Sequence, residues 1–433
     1  MKQYCDAVDA FLRRYSQHPD AVDTAALTAV FVDEMRAGLE GKPSSLMMIP
    51  TYLTSDGAVP LGETAVAVDA GGTNLRTALV SFAADGVKIE RFSQRPMPGT
   101  QRPLTKDEFI TQMTRILKPL AEQSQKIGFC FSFPAEAQPD HDARVVQFCK
   151  EVRISGGEGM MICKEIAGAL KDLGVTEPLQ FVLLNDTVAT LLGGPAPETG
   201  EQIDGLIGFI LGTGTNTAYV ERRSHIVKLG EATGWSSMII NVESGMFDKL
   251  PLGEFDRRVD AVSENPGDHL FEKMISGVYL GEVIRQTIIQ AAREGMFSAS
   301  SDALRRLPPL TMVEIDAFLR RPYGDNPLAA ACDTDGDHEL MYTLIDRALE
   351  RGAKLVTVNL AALMEQMNAG RRMTAPCRIV VEGSTFHKCF GYRARIERHM
   401  QNYVCGQLGR YYRFVSGEDV NLVGSASAAL LNT

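Results

Sequence analysis

Val68-Asp-Ala-Gly-Gly-Thr-Asn74 and, about 140 residues later, Ile210-Leu-Gly-Thr-Gly-Thr-Asn216 are the two stretches that decide the fold. Each is an apolar strand running into a Gly/Thr/Asn turn. Thr64-Ala-Val-Ala-Val68 leads into the first turn, and Arg76-Thr-Ala-Leu-Val-Ser-Phe82 returns from it. Leu206–Leu211 leads into the second, and Thr217–Glu221 returns. Two such turns facing each other across a cleft would present backbone N–H groups and hydroxyls to one polyphosphate from both sides. Their repetition points to a duplicated fold. For the first turn alone, a hairpin needing positive φ at Gly71 and Gly72 is the competing explanation.

Outward from the first turn, Asp85-Gly86 leads into a third strand, Val87–Phe92. A helix follows at about 105–123, then a strand at Ile127–Phe131, a helix from Gly159 to Leu173 and a strand at Leu179–Leu184. Residues 1–50 read as helical, with Val8, Phe11, Leu12, Tyr15 and then Leu27, Val30, Phe31, Met35, Leu39 on the apolar faces. The stretch from 268 to 370 is mainly helical, including a long pattern from Glu339 to Met367. Arg378–Val381 is a last strand, and Gly424–Leu431 a last helix.

At 433 residues the chain exceeds one ordinary core, so two lobes are expected. No low-complexity linker separates them, which implies a close interface. Lys plus Arg is 44 against 54 Asp plus Glu, a formal charge of −10, so nucleic acid is not an expected partner. Apolar runs such as Leu206-Ile-Gly-Phe-Ile-Leu211 fall far short of a membrane span, and no membrane role is expected. Met1-Lys-Gln-Tyr-Cys-Asp6 lacks a basic start and apolar run, so no signal peptide is expected. The eight scattered cysteines, with no C-x-x-C, read as reduced residues of a cytoplasmic enzyme.

In the first turn, Gly71 and Gly72 would let backbone amides approach a phosphate, with Thr73 and Asn74 as added donors and Arg76 as a charge-assisted contact. Asp69, at the strand end, suits the water shell of a Mg²⁺ ion, with no direct protein ligand. Motifs of P-loop, dinucleotide-binding, zinc-protease and serine-hydrolase chemistry are absent. Asp333-Thr-Asp-Gly-Asp337 lacks the spacing of a calcium loop and reads as a solvated turn. Leu183-Leu-Asn-Asp-Thr-Val-Ala189 delivers Asn185 and Asp186 to the carboxyl end of a strand, where α/β proteins place ligands. Asp186 there is either a helix cap or a base for a hydroxyl attacking a phosphate.

Together with Asp69–Arg76, further motifs stand in order from roughly Gly62 to Leu431. They are Gly128-Phe-Cys-Phe-Ser-Phe-Pro134, Asn185-Asp-Thr-Val-Ala-Thr190, Gly212-Thr-Gly-Thr-Asn216, Asn241-Val-Glu-Ser-Gly-Met-Phe247 and Asn265-Pro-Gly-Asp-His-Leu-Phe-Glu-Lys273. In this set the chain resembles the hexokinase family of the actin-like ATPase superfamily. The resemblance implies a two-lobed α/β fold of the actin-like, ribonuclease H-like kind, with mixed sheets, flanking helices and a central cleft. Residues 58–183 with 422–433 would form the small domain, and 1–57 with 184–421 the large one. The implied activity is ATP-dependent phosphorylation of the 6-hydroxyl of glucose or another hexose, with Mg²⁺, by a monomer or homodimer.

The roles follow residue by residue from the same resemblance. Asp186 would be the general base, and Lys150 would contact sugar and help neutralise the transferred group. Ser132, Asn185, Asn216, Glu243 and Glu272 would bind sugar hydroxyls. Gly212 and Thr213 would meet the nucleotide phosphates. Gly383, Ser384, Gly424 and Ser425 stand where the family binds the rest of the nucleotide.

The sequence also departs from the family pattern. Cys149 replaces a threonine beside Lys150, Ser244 follows Glu243 where tryptophan is usual, and Glu382-Gly-Ser384 replaces Asp-Gly-Ser. Gly424-Ser-Ala-Ser-Ala-Ala429 lacks the family's basic residue. A catalytically weak sugar-binding regulator therefore stands as the alternative. A kinase of the repressor/kinase branch would carry a Cys-rich zinc motif, and a filament or chaperone ATPase would lack the Ser-Phe-Pro and Asn-Asp-Thr residues.

Overall fold

The chain, in a computed structural model that describes residues 2–148, 151–194, 201–230, 234, 236–298 and 301–433, is organised around two sheets of one topology. Helices α1 (Lys2–Arg14) and α2 (Thr24–Leu39) precede the two-residue strand β1 (Ile49–Pro50). Strands β2 (Thr64–Ala70), β3 (Asn74–Ala83) and β4 (Gly86–Pro96) then form a meander. Helix α3 (Lys106–Ala121), strand β5 (Lys126–Phe131), helix α4 (Ile162–Asp172) and strand β6 (Gln180–Leu184) finish a five-stranded sheet of order β6-β5-β2-β3-β4.

Helix α5 (Asp186–Leu192) leads to the second sheet, which starts with β7 (Leu206–Leu211), β8 (Thr215–Arg222) and β9 (Ser237–Asn241). A helical region follows, with α6 (Glu254–Ala261), α7 (Leu270–Ile275), α8 (Gly277–Arg293) and the 33-residue α9 (Asp335–Met367). Strands β10 (Cys377–Glu382) and β11 (Tyr412–Val415) and helix α10 (Val420–Asn432) complete the chain, and this sheet runs β1-β9-β8-β7-β10-β11. In each sheet a first strand pairs antiparallel with the second and parallel with the fourth: β2 with β3 and β5, β7 with β8 and β10. The two Gly/Thr turns are therefore the same hairpin in two copies of one unit, as their sequence echo predicts.

Strand periodicity explains why the first copy is covered on both faces. Val66, Val68 and Ala70 pack with Phe109, Leu117 and Ile166 of α3 and α4, while Ala65 and Ala67 meet Leu422, Ala426 and Ala429 of α10. Side chains on the second face are small because α10 lies so close. A Cβ on Gly128 would stand 1.8 Å from the carbonyl oxygen of Ser425. Helices α5 and α10 also cross almost backbone to backbone: a Cβ on Gly193 or Gly424 would stand 1.9 Å from the carbonyl of Val420 or Ala189. The largest core lies on the second sheet, where Leu355, Val358 and Leu363 of α9 join Phe11, Phe31 and Met35 from the N-terminal helices.

Three readings of the sequence need correction. Val30 is 38% exposed, because the buried stripe of α2 runs through Leu27, Phe31 and Met35. Strands β9 and β11 escape a pattern reading, since Met238-Ile-Ile240 is too short to tell from a buried helical turn. Asp333–Asp337 is a helix start rather than a solvated turn. Thr334 caps α9, and Asp337 is buried, accepting the N–H of Ser298 at 2.8 Å and its hydroxyl at 2.6 Å. Among the described residues, no helix is long and apolar enough to cross a membrane, and seven cysteines are unpaired.

Candidate active site

Asp69 stands near the end of β2, opposite Arg76 across the hairpin and opposite Cys130 on β5. Its carboxylate lies 3.9 Å from the Arg76 guanidinium and also takes a hydrogen bond from the buried Cys130 thiol. Burial pushes Asp69 up to about 6; Arg76 pulls it down, and the negative charge of Asp186 pushes it up again. Neither Gly71 nor Gly72 adopts positive φ, so turn geometry does not account for the two glycines. The turn closes through Gly71 N–H to the Asn74 carbonyl at 3.0 Å, and Thr73 lies exposed at its tip with its hydroxyl accepting from Asn74 Nδ2 at 3.0 Å.

The second turn is held from outside. The Gly212 carbonyl accepts the N–H of Gly277 at 2.8 Å and the Thr385 hydroxyl at 2.8 Å, while Thr213 is exposed at the tip. Gly383 brings the end of β10 against it with φ +115°, and a Cβ there would stand 2.3 Å from the Leu211 carbonyl. Ser384 beside it is exposed. Gly214 makes room for Glu272: a Cβ would lie 2.5 Å from Oε2, and that oxygen accepts the Thr215 N–H at 2.9 Å.

Between the turns, β6 is followed by Asn185, whose Oδ1 caps α5 by accepting the Thr187 N–H at 2.9 Å. Asp186 is the first residue of that helix, and its Oδ1 accepts the Thr187 hydroxyl at 3.3 Å. On the second sheet, Asn216, Asn241 and Glu243 form a triangle. Glu243 Oε1 accepts Nδ2 of Asn216 at 3.1 Å and Nδ2 of Asn241 at 2.7 Å, and Asn216 Nδ2 also reaches Asn241 Oδ1 at 2.9 Å. Glu243 holds φ 55°, a left-handed conformation that costs a non-glycine residue about 1–3 kcal/mol. Burial raises its pKa above the usual carboxylate range, and the charge of Asp186 adds to the rise. Asp186 is thus felt by Asp69 on one sheet and by Glu243 on the other.

Ser132 follows β5, with its N–H on the Ala70 carbonyl at 3.2 Å and its side chain hydrogen-bonded to Cys130. It therefore sits beside the first turn. Lys150 and Cys149 lie outside the described residues. Ser425 is wholly buried, its hydroxyl donates to the Asn421 carbonyl at 2.6 Å, and Gly424 is pressed on Ala189. Both residues pack α10 against its neighbours.

Four groups near the site escape the sequence reading as site members. Asn241 ends β9 two positions before Glu243 and donates to its carboxylate, a nearness in sequence that was available as a signal. Cys130 is placed by strand register, which one sequence does not give. Glu382 and Asp419, the latter at φ 47° before α10, bring further negative charge: burial pushes Glu382 up, the charge of Asp419 adds to that rise, and Asp69 feels Asp419 as well. No three His, Cys, Asp or Glu side chains among the described residues converge as a direct metal cage.

Comparison with known proteins bears on the family and the fold. Two family models described as Hexokinase match the chain, one over residues 8–195 and the other over residues 206–431. Hexokinase-1 of Nicotiana tabacum is 30% identical, covering 98% of this chain and 91% of its own length. Glucokinase-1 of Kluyveromyces lactis is 28% identical, with coverage of 93% and 94%. The structure of a hexokinase from Schistosoma mansoni complexed with glucose superposes with a TM-score of 0.76 at 22% identity, covering 99% of both chains.

Proposed function

The chain belongs to the hexokinase family, and from that premise we propose that it transfers the γ-phosphoryl group of ATP to the 6-hydroxyl of a hexose, glucose foremost, with Asp186 as general base. The position of Asp186 is the observation that carries this reading. It opens a helix between the two phosphate-type turns and bears electrostatically on both Asp69 and Glu243.

The polar triangle around Glu243, with Asn185, Glu272 and Ser132, supplies the convergent donors and acceptors a polyol needs. Strain stored at Glu243 argues for such a role, because a left-handed glutamate persists only where surrounding contacts over-determine it. The Gly71 and Gly212 N–H groups close the turns on the carbonyls of Asn74 and Gly214, which leaves the amides of 72–73 and 213–214 to face the donor phosphates. The hexose 6-oxygen attacks the γ-phosphorus, the bond to the β-phosphate oxygen breaks, and Asp186 takes the hydroxyl proton. Lys150 is assigned to the transferred phosphoryl group by family resemblance.

A divalent cation fits the first turn. Asp69 is a buried carboxylate pushed up to about 6, with a guanidinium 3.9 Å away, and a nearby cation would restore its charge. Asp69 would hold Mg²⁺ through water, and that ion, when bound with ATP, neutralises charge on the phosphoryl oxygens. The close crossing of α5 and α10 supports a division into a small lobe, 58–183 with 422–433, and a large lobe, 1–57 with 184–421, that close on the hexose. Closure would exclude water from the γ-phosphate. The unpaired thiols support a cytoplasmic location.

The test is ADP release from purified protein with Mg-ATP, with and without glucose, mannose, fructose and N-acetylglucosamine. Sugar-stimulated ADP matched by sugar 6-phosphate is expected. Release indifferent to every sugar would point to a plain ATPase, and sugar that raises the melting temperature without any turnover would point to a regulator.

A further inference from the structure

Lys273 follows Glu272 on α7, points to the other side of that helix and is one of the few lysines withdrawn from water, at 4% exposure. Its Nζ donates to Asp260 Oδ1 at 2.7 Å and to the Asn265 carbonyl at 2.7 Å. Both oxygens of Asp260 also accept the N–H of Gly267, each at 3.0 Å. The loop between α6 and α7 is thereby tied down at two backbone positions by one ion pair. The loop needs such a tie, because it enters α7 through His269 at φ 51°, an uncommon conformation for a residue with a side chain.

On its far side the same short helix holds the second turn. Glu272 Oε2 takes the Thr215 N–H at 2.9 Å, and just beyond α7 the N–H groups of Gly277 and Val278 reach the carbonyls of Gly212 and Thr213 at 2.8 and 3.4 Å. Stacked this way, the loop tie sets the height of α7, and α7 sets where Glu272 meets the turn. We propose that Lys273, gripped by Asp260, is a positioning residue that keeps Glu272 in register for hexose binding. The inference rests on the hexose-facing reading of Glu272 given above.

A buried charge that loses its partner destabilises strongly, whereas removing both charges is often tolerated. The test therefore uses Lys273→Met, Lys273→Arg and the charge-neutral double variant Lys273→Met/Asp260→Leu, each also combined with Glu272→Ala. Steady-state KM for glucose and for Mg-ATP, kcat and melting temperature are read for all. Lys273→Met, or the double variant should the single one not fold, is expected to raise the glucose KM roughly 10- to 100-fold, the range for losing one hydrogen bond to a charged group. The change in Mg-ATP KM should be several-fold smaller, and Lys273→Arg should restore most of the glucose KM. In the Glu272→Ala background the Lys273 substitution should add nothing, since both act through one contact. An equal rise in both backgrounds, or a folded variant with an unchanged glucose KM, would overturn the positioning role. Glu272→Ala leaving the glucose KM unchanged would instead overturn the reading on which it rests.

Discussion

Replacing Asp69 by asparagine should make the protein more stable and less active, and the gain should depend on pH. Asp69 is pushed up to about 6 from an ordinary value of 3.8, chiefly by burial. The folded chain therefore holds this proton more tightly than the unfolded one, so unfolding free energy falls as pH rises from about 4 to 6. At about 1.4 kcal/mol per tenfold change in proton affinity, the charged carboxylate costs the fold about 3 kcal/mol at pH 7.5 and about 1 kcal/mol at pH 4.5. Asparagine carries no such dependence. In urea melts without Mg²⁺, the stability of Asp69→Asn relative to the parent should therefore grow by about 2 kcal/mol between pH 4.5 and 7.5. Contributions indifferent to pH, such as an altered contact with the Cys130 thiol, cancel in that difference. A flat difference across the range, or one that shrinks as pH rises, would refute the claim that this carboxylate is held charged at a cost. Sugar-dependent turnover should fall in the same variant, the trade expected of a residue kept for function.

Asp186→Ala should lower kcat at least ~10²-fold while glucose still raises the melting temperature, and near-normal turnover would remove Asp186 from the base role. Gly214→Ala places a Cβ 2.5 Å from Glu272 Oε2, so the glucose KM should rise clearly more than the melting temperature falls; an unchanged KM would show that Glu272 yields without consequence. Gly424→Ala is diagnostic through its sign. Alanine inside a helix ordinarily adds up to about 1 kcal/mol, but here its Cβ would meet the Ala189 carbonyl at 1.9 Å, so a loss of roughly 1–3 kcal/mol or more is expected in urea melts. A stabilised Gly424→Ala protein would mean that α5 and α10 stand further apart than described.

Much of the fold was legible because the chain repeats itself. Val68–Asn74 and Ile210–Asn216 are echoes in sequence and prove to be equivalent hairpins in two sheets of the same strand order. Long helices such as α9 announce themselves by period, whereas β9 and β11 are too short to do so. Placement in the candidate site was legible where a strand end delivers the residues, as at Asn185 and Asp186. It was less so where register decides, as for Cys130 beside Asp69. The packing role of Gly424 and Ser425 was not legible either, because small residues suit a nucleotide and suit a helix pressed on a sheet equally well. The packing against Gly128 and Ala189 emerges only in three dimensions.

The burial of Ser425 also has a meaning for how the molecule is made. Its hydroxyl lies 3.4 Å from the carbonyl of Val68, a residue translated 357 positions earlier. At about 5–20 residues per second, ribosomes leave the Ala65 and Ala67 face of the first sheet without its natural cover for roughly 20–70 s. Both sheets are thus synthesised before α10, the helix that then packs on the first sheet and against α5 alike.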